Sequence, residues 1–279
     1  MQNSTEKKPI KNKKKVLIIV LSVILGVIAI CVLLVLLLVY SSVKATKEYN
    51  AEVAEYNLLV NEYNEKADKV ALYNIEGIPT QLNEISLVSD SFFDVFSSLI
   101  SGNSREKIIS DVETIKELKK AVIVYDDIAE KVYAPDSAEI CSLIKEIEHV
   151  KDVDRVSEGK DPDAVLGTEG GYIGCVYFSL DMVDQTIVPG NDVIEKGTDA
   201  GGAVEIYATV KDAENRCDYL SQFDDTILYT GSYAAVGTMV IRTSYLLDFD
   251  DQVSITNEIT KAITGVALDK AGNGEWGAE

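Results

Sequence analysis

Aspartates spaced two residues apart are the first candidates for chemistry in this chain, because such carboxylates can ligate calcium. Two clusters occur, one within residues 152–163 and one at residues 248–251. A calcium loop also requires a third ligand and a glycine at fixed positions, where the first cluster has Val156 and Ser157. The second cluster fails in the same way. We therefore predict no metal site.

Two glycine-rich segments, Gly170-Gly171 and residues 197–202, raise the question of a phosphate-binding loop. Such a loop ends in Gly-Lys-Ser/Thr and leads into a helix. Residues 197–202 lack that ending and lead into a predicted strand. Tight turns explain both segments better, so no cofactor is predicted.

Nucleophilic catalysis requires a base beside the nucleophile. His149 is the only histidine, and we expect it to complement the dipole at the end of a predicted helix. Cys175 and Cys217 lie on predicted buried faces, either oxidised to each other or as free thiols. Cysteine or Ser/Lys chemistry stays open, but no catalytic constellation is recognisable. We therefore predict that the chain is not an enzyme.

Arginine is scarce, and two arginines are candidate ligands for an anion. Arg242 lies at the end of a predicted strand and Arg216 on a predicted helix. A guanidinium group can bind a carboxylate or phosphate through two parallel hydrogen bonds. The simpler alternative is an internal ion pair with neighbouring Asp or Glu.

Residues 16–40, from Val16 to Tyr40, contain no charged side chain, and six lysines precede them. A helix of this length extends about 37 Å, enough to cross a hydrocarbon core of about 30 Å. Lysines remain on the cytoplasmic side, so we predict residues 1–15 inside and the remainder outside the cell. The apolar run is too long for a signal peptide, although Val39 and Ser41 leave cleavage open as a minor alternative. The predicted partner of this segment is the lipid bilayer.

The chain has a net charge of −20, whereas residues 1–15 carry +5, so residues 16–279 carry −25. Such an acidic domain repels nucleic-acid phosphates. We therefore exclude nucleic acid as a partner.

A repeated Glu-Tyr-Asn tripeptide begins at Glu48, Glu55 and Glu62 and predicts a coiled-coil stretch over residues 46–70. Its apolar seam comprises Tyr49, Val53, Tyr56, Val60 and Tyr63. The seam either joins copies or a protein partner, or packs against later helices of the same chain. We expect the first helix to continue unbroken out of the apolar run. Further helices are predicted from Thr80 to Leu99 and from Ser104 to Val132, completing a helical stalk over residues 41–134.

The segment 135–268 is predicted to form an α+β domain, beginning with a helix capped by Asp136. Strands are predicted at residues 153–157, 172–178, 203–207 and 235–243, and further helices at 212–223 and 254–263. This order suggests a ferredoxin-like α+β sandwich with helices on one face of the sheet. A permuted order of the elements stays open. Residues 269–279 are predicted to be a disordered tail.

Six segments of this domain carry a resemblance: Asp161-Pro162-Asp163, Gly170-Gly171-Tyr172, Val176-Tyr177-Phe178, Glu195 to Asp199, Asp212 to Arg216, and Gly237 to Ser244. In this order they resemble an uncharacterised domain of membrane-anchored surface proteins from Gram-positive bacteria. The resemblance covers about residues 136–265. It implies an envelope-facing domain on a membrane anchor and brings no assigned reaction or ligand.

The combined expectation is a single-pass membrane protein that displays a small α+β module on a helical stalk for binding or interaction. Two alternatives remain. One is a structural subunit that assembles through the heptad seam. The other is a cell-envelope hydrolase or transferase with an unrecognised site.

Overall fold

The computed structural model describes residues 11–70, 79–85, 103–224, 226–267 and 276–277. The described part is α+β, with a long apolar N-terminal helix and an antiparallel sheet. The chain forms two compact units, Met1–Tyr56 with Leu82–Glu117, and Asn57–Gln81 with Leu118–Glu279.

Helix α1 runs unbroken from Lys11 to Val70, as the sequence predicted. Its apolar part, residues 16–40, has almost entirely exposed side chains. In the described part of the chain, α1 is the one helix long and apolar enough to cross a membrane. Exposure of so many large apolar side chains is unfavourable in water.

In the first unit, Val53 and Tyr56 of the predicted seam are fully buried, whereas Tyr49 is half-buried. The Asn50 side chain donates to the Ile85 carbonyl at 2.9 Å and accepts from the Ile85 amide at 3.0 Å. Residues 79–85 form no helix, so the helix predicted from Thr80 does not begin there. The rest of that prediction, residues 86–99, lies outside the described residues.

Helix α2 (Asn103–Lys131) corresponds to the predicted third helix of the stalk. In the second unit, Val60 and Tyr63 of the seam are buried, and Lys66 forms an ion pair of 2.7 Å with Asp126 of α2. Burial, with smaller effects of neighbouring Tyr125 and Asp126, raises the pKa of Tyr63 to about 12. These seam residues are therefore buried by other residues of the same chain.

The second unit contains a five-stranded antiparallel sheet in the order β1-β2-β3-β5-β4, with a short sixth strand beside β4. The strands are β1 (Val150–Arg155), β2 (Gly174–Leu180), β3 (Gly201–Ile206), β4 (Tyr233–Val236), β5 (Met239–Thr243) and β6 (Trp276–Gly277). Across the four inner strands, the register aligns Cys175, Glu205, Val240 and Ala235 in one row.

Helices cover both faces of this sheet, which corrects the expected single layer. The helices are α3 (Ser137–Ile144), α4 (Val193–Lys196), α5 (Val210–Ser221) and α6 (Phe249–Thr264). Helices α4 and α5 share a core with one face, whereas α3 and α6 pack together against alternate residues on the other. The physical reason is visible in β2 and β3, which are buried at every residue rather than at every second one.

Most other predicted elements are present with ends shifted by up to three residues. The strand predicted at 235–243 is instead the β4–β5 hairpin, because Gly237 turns the chain with a φ of 59°. The last helix begins at Phe249, five residues earlier than predicted, because Asp248 caps it by accepting from the Asp251 amide. Within the tail predicted to be disordered, Trp276–Gly277 pair with β4. The other tail residues lie outside the described residues.

Candidate functional site

Glu205 is a fully buried carboxylate in the middle of the sheet. It lies on β3, where its neighbours in the segment Gly201–Ile206 are all uncharged, and its side chain faces the layer of α5. Burial of an unpaired carboxylate is costly, so this position requires cationic or hydrogen-bonding partners.

Arg216 of α5 and Arg242 of β5 both bind Glu205. Arg216 donates from Nε to Oε2 at 2.8 Å and from Nη2 to Oε1 at 2.9 Å. Arg242 donates from Nη1 to Oε1 at 2.8 Å, and the Tyr207 hydroxyl donates to Oε2 at 2.8 Å. The carboxylate therefore accepts four hydrogen bonds from three side chains.

These contacts keep Glu205 ionised. Burial alone would raise the pKa of Glu205, but the charges of Arg242 and Arg216 and their hydrogen bonds lower it to about 2. Burial would lower the pKa of Arg216, but the Glu205 charge raises it above its usual value. Two guanidinium groups share one carboxylate, so the cluster carries one surplus positive charge.

Both arginines line a cleft of about 460 Å³, which we call the arginine cleft. Its other polar walls include Tyr177, Thr198 and Thr230, and Arg242 donates to the Thr230 hydroxyl at 3.2 Å. Its apolar walls are Ile194, Leu220, Phe223 and Leu228. The cleft therefore combines apolar and polar walls, and small-molecule sites also place polar groups beside apolar surface.

A second cleft of about 380 Å³ adjoins the first, and we call it the acidic cleft. Asp163, Glu169 and Asp212 line it, and it shares Asp163, Arg216 and Tyr219 with the arginine cleft. The Arg216 guanidinium lies 5.5 Å from the centre of the Tyr219 ring, within cation–π range. Arg216 therefore forms part of the wall of both clefts.

The loop that borders the acidic cleft is organised by Asp161. Its carboxylate accepts from the Leu166 amide at 2.8 Å and from the Tyr172 hydroxyl. Burial raises the pKa of Asp161, but these hydrogen bonds outweigh it, so the pKa is lowered. A Cβ at Gly171 would lie 2.1 Å from the Val165 carbonyl oxygen, so this position requires glycine, as expected for a tight turn.

Two other aspartates of these clusters have structural contacts. Asp248 caps α6, and Asp154 accepts from the Arg155 amide at 2.8 Å. Across the described residues, no group of three or more His, Cys, Asp or Glu side chains could hold a metal ion.

His149 is not at a helix end, because α3 ends at Ile144, so the predicted dipole interaction is wrong. Instead, its Nδ1 lies 2.9 Å from Asp181 Oδ1 in a partly exposed pair. Lys151 contacts the same carboxylate at 2.9 Å. Hydrogen bonds from Lys151 and, to a smaller extent, from His149 lower the pKa of Asp181.

Cys175 and Cys217 are both buried thiols. Burial raises the pKa of Cys175 well above its usual value, and the charge of Glu205 adds to this effect. Since the thiolate is the reactive form, Cys175 is a poor nucleophile in this environment.

The structure brings together the two arginines that the sequence singled out, although they lie 26 positions apart in the sequence. It also adds Glu205, which the sequence interpretation missed. A signal was available, because a glutamate inside an apolar strand must find a partner. The internal ion pair considered as the alternative is present, but it leaves one guanidinium charge without a balancing carboxylate in the cluster.

No protein-family model, curated protein or solved structure matches this chain. The geometry of the two clefts therefore carries the functional interpretation.

Proposed function

We propose that this chain is a membrane-anchored extracytoplasmic binding protein whose α+β domain binds a ligand through an anionic group in the arginine cleft. In this proposal, residues 16–40 cross the bilayer once and residues 1–15 remain in the cytoplasm. The domain acts by binding and catalyses no reaction.

The anchor is supported by the exposure of residues 16–40 along α1, combined with the charge distribution around them. Lysines stand before the apolar run, and the rest of the chain is strongly acidic. Basic flanks are retained in the cytoplasm, so the acidic domain is placed outside.

The observation that best supports anion binding is that Arg216 and Arg242 share one buried carboxylate and line the same cleft. One arginine would neutralise Glu205, so the second is not needed for charge balance within the cluster. Guanidinium groups held rigidly by Glu205 are preorganised to receive a ligand anion, which lowers the entropic cost of binding.

For the fold, we propose a relationship to ferredoxin-like domains through one split β-α-β unit. Strands β3 and β4, connected by α5, both pair antiparallel with β5, which lies between them. The resemblance to surface-protein domains of Gram-positive bacteria fits the same proposal, since it implies an envelope-facing domain on an anchor.

Anchoring is tested with the full chain expressed with epitopes before Met1 and after Glu279. We expect the protein to remain in the membrane fraction when membranes are washed with alkaline carbonate. We also expect protease added to intact cells to remove only the C-terminal epitope. Release of the protein by carbonate, or protection of the C-terminal epitope, would contradict the proposed anchor and orientation.

Anion binding is tested with 3-phenylpropionate as probe and 3-phenylpropanamide as its uncharged control, by ligand-observed NMR on the full chain in phosphatidylcholine nanodiscs. We expect binding of the carboxylate and at least tenfold weaker binding of the amide. Empty nanodiscs provide the background. Equal signals from carboxylate and amide would refute the proposed site.

A matched pair of variants locates the probe. Leu228 lines the arginine cleft and is largely exposed, whereas the adjacent Ile227 is fully exposed and does not line it. Leu228→Glu should abolish binding by placing a negative charge at the cleft, and Ile227→Glu should bind like the unmodified chain. The same loss in both variants would show that the probe binds elsewhere.

A further inference from the structure

The two clefts differ in charge although they share a wall. The acidic cleft contains Asp163, Glu169 and Asp212 against the single guanidinium of Arg216. The arginine cleft contains Arg242, which is buried, and its acidic side chains Asp163 and Glu195 are exposed. Positive charge therefore lies deep in one cleft, and negative charge lies at its rim and along the other.

This distribution selects against ligands that carry several negative charges. A polyphosphate reaching Arg242 would also meet the carboxylates of Asp163 and Glu195, and like charges at an interface are strongly unfavourable. A ligand with one anionic end and a cationic group farther along satisfies both regions. Complementarity of this kind contributes to specificity.

The arginine cleft also has an apolar wall suited to a hydrophobic group beside the anion. Leu220 is buried there, and Phe223 contacts Tyr219 edge to face with ring centres 5.1 Å apart. Tyr219 belongs to both clefts. A bound apolar side chain would pack on these rings and exclude water from the arginines, which strengthens the ionic contact.

Building on the proposed function, we infer that the ligand is a short peptide with a free C-terminal carboxylate that lies across both clefts. The carboxylate binds at Arg242 and Arg216, and the apolar C-terminal side chain occupies the arginine cleft. A basic side chain upstream lies in the acidic cleft. Peptides join these three groups, and an extended tripeptide spans about 10 Å.

The test uses three peptides that differ by one group each, titrated calorimetrically into the full chain in phosphatidylcholine nanodiscs. They are N-acetyl-Lys-Ala-Phe, the same peptide as its C-terminal amide, and N-acetyl-norleucine-Ala-Phe. We expect the amide to bind at least tenfold more weakly and the norleucine peptide about fivefold more weakly than the first. The neutral lipid prevents the lysine from binding the bilayer by charge.

A protein variant then identifies the cationic contact. Asp163 and Glu169 are exposed, so Asp163→Asn combined with Glu169→Gln should leave the fold intact. In this variant the difference between the lysine and norleucine peptides should disappear, while the effect of amidation persists. The matched control is Asp152→Asn combined with Glu158→Gln, which removes two exposed charges from positions outside both clefts and should retain the full difference.

The outcomes separate this inference from the proposed function. If 3-phenylpropionate binds but the lysine and norleucine peptides have equal affinity, the anion site stands and the peptide inference is wrong. If the lysine preference persists in the Asp163 and Glu169 variant, the assignment of the acidic cleft is wrong. If no carboxylate binds, both proposals fail.

Discussion

Replacement of Glu205 by glutamine tests the structural basis of the site most directly. Gln keeps the shape and one acceptor oxygen but removes the charge that faces Arg216 and Arg242. The guanidinium groups of the buried Arg242 and the half-buried Arg216 would then lie close together without a carboxylate between them. Breaking a buried ion pair by removing one partner typically costs about 3–5 kcal/mol.

The pKa of Glu205 provides an independent value for the same effect. A fall from the ordinary 4.5 to about 2 corresponds to about 3 kcal/mol, at about 1.4 kcal/mol for each tenfold change in proton affinity. The two magnitudes agree in order. For a unit of this size, such a loss would lower the melting temperature by about 6–12 °C.

The pKa also defines the pH range in which this contribution disappears. Because the folded state lowers the pKa of Glu205, its stabilisation is fully present above about pH 4.5 and is lost as the pH falls towards 2. The difference in free energy of unfolding between the unmodified chain and Glu205→Gln should therefore shrink from about 3 kcal/mol near pH 6 to almost zero near pH 2.

Urea unfolding of the full chain in detergent micelles, followed by circular dichroism at a series of pH values, measures this difference. The subtraction removes the contributions of the other carboxylates, which are common to both proteins. Glu158→Gln, at an exposed position, is the matched control and should unfold like the unmodified chain. A difference for Glu205→Gln that stays constant from pH 6 to pH 2 would refute the buried charge cluster.

Three further predictions concern the fold around the site. Asp248→Ala should cost about 1 kcal/mol in urea unfolding by removing the cap of α6, whereas Asp248→Asn, which keeps an acceptor, should cost less. Gly237→Ala should destabilise by more than 1 kcal/mol because of its positive φ and a Cβ contact of 2.4 Å, whereas Gly159→Ala, in open space, should be nearly neutral in the same assay. In native protein, a maleimide followed by peptide mass spectrometry should label the partly exposed Cys141 and spare Cys175, and equal labelling would contradict the buried thiol.

Local patterns explain what could be predicted from the sequence. The continuous helix α1 follows from a long stretch without Pro or Gly after the apolar run, and Asp136 caps α3 as its motif indicated. The heptad spacing identified which side chains of α1 are buried, because that spacing depends only on helix geometry. Such features are determined by residues within one or two turns of each other.

The missed features depend on residues that are distant in the chain. Every residue of β2 and β3 is buried because helices cover both faces of the sheet. The alternation of residues within one strand does not reveal that the second face is covered. The turn at Gly237 was hidden inside an apolar run that resembled one strand. The two arginines of the candidate site were predicted because arginine is scarce in this chain. Their contact with Glu205 was not, because only the register of β3 against β5 brings Arg242 to Glu205.

Stability alone does not account for the second arginine, and this can be tested. A single guanidinium would neutralise the charge of Glu205, so the second arginine is not required for charge balance in the cluster. Arg216→Met should leave Glu205 bound to Arg242 and Tyr207, so its loss of stability should be smaller than that of Glu205→Gln. The same variant should lose binding of 3-phenylpropionate, because the cluster then has no surplus positive charge. Binding that survives this substitution would mean that Arg216 serves the fold alone, and the anion site would then have to be placed elsewhere.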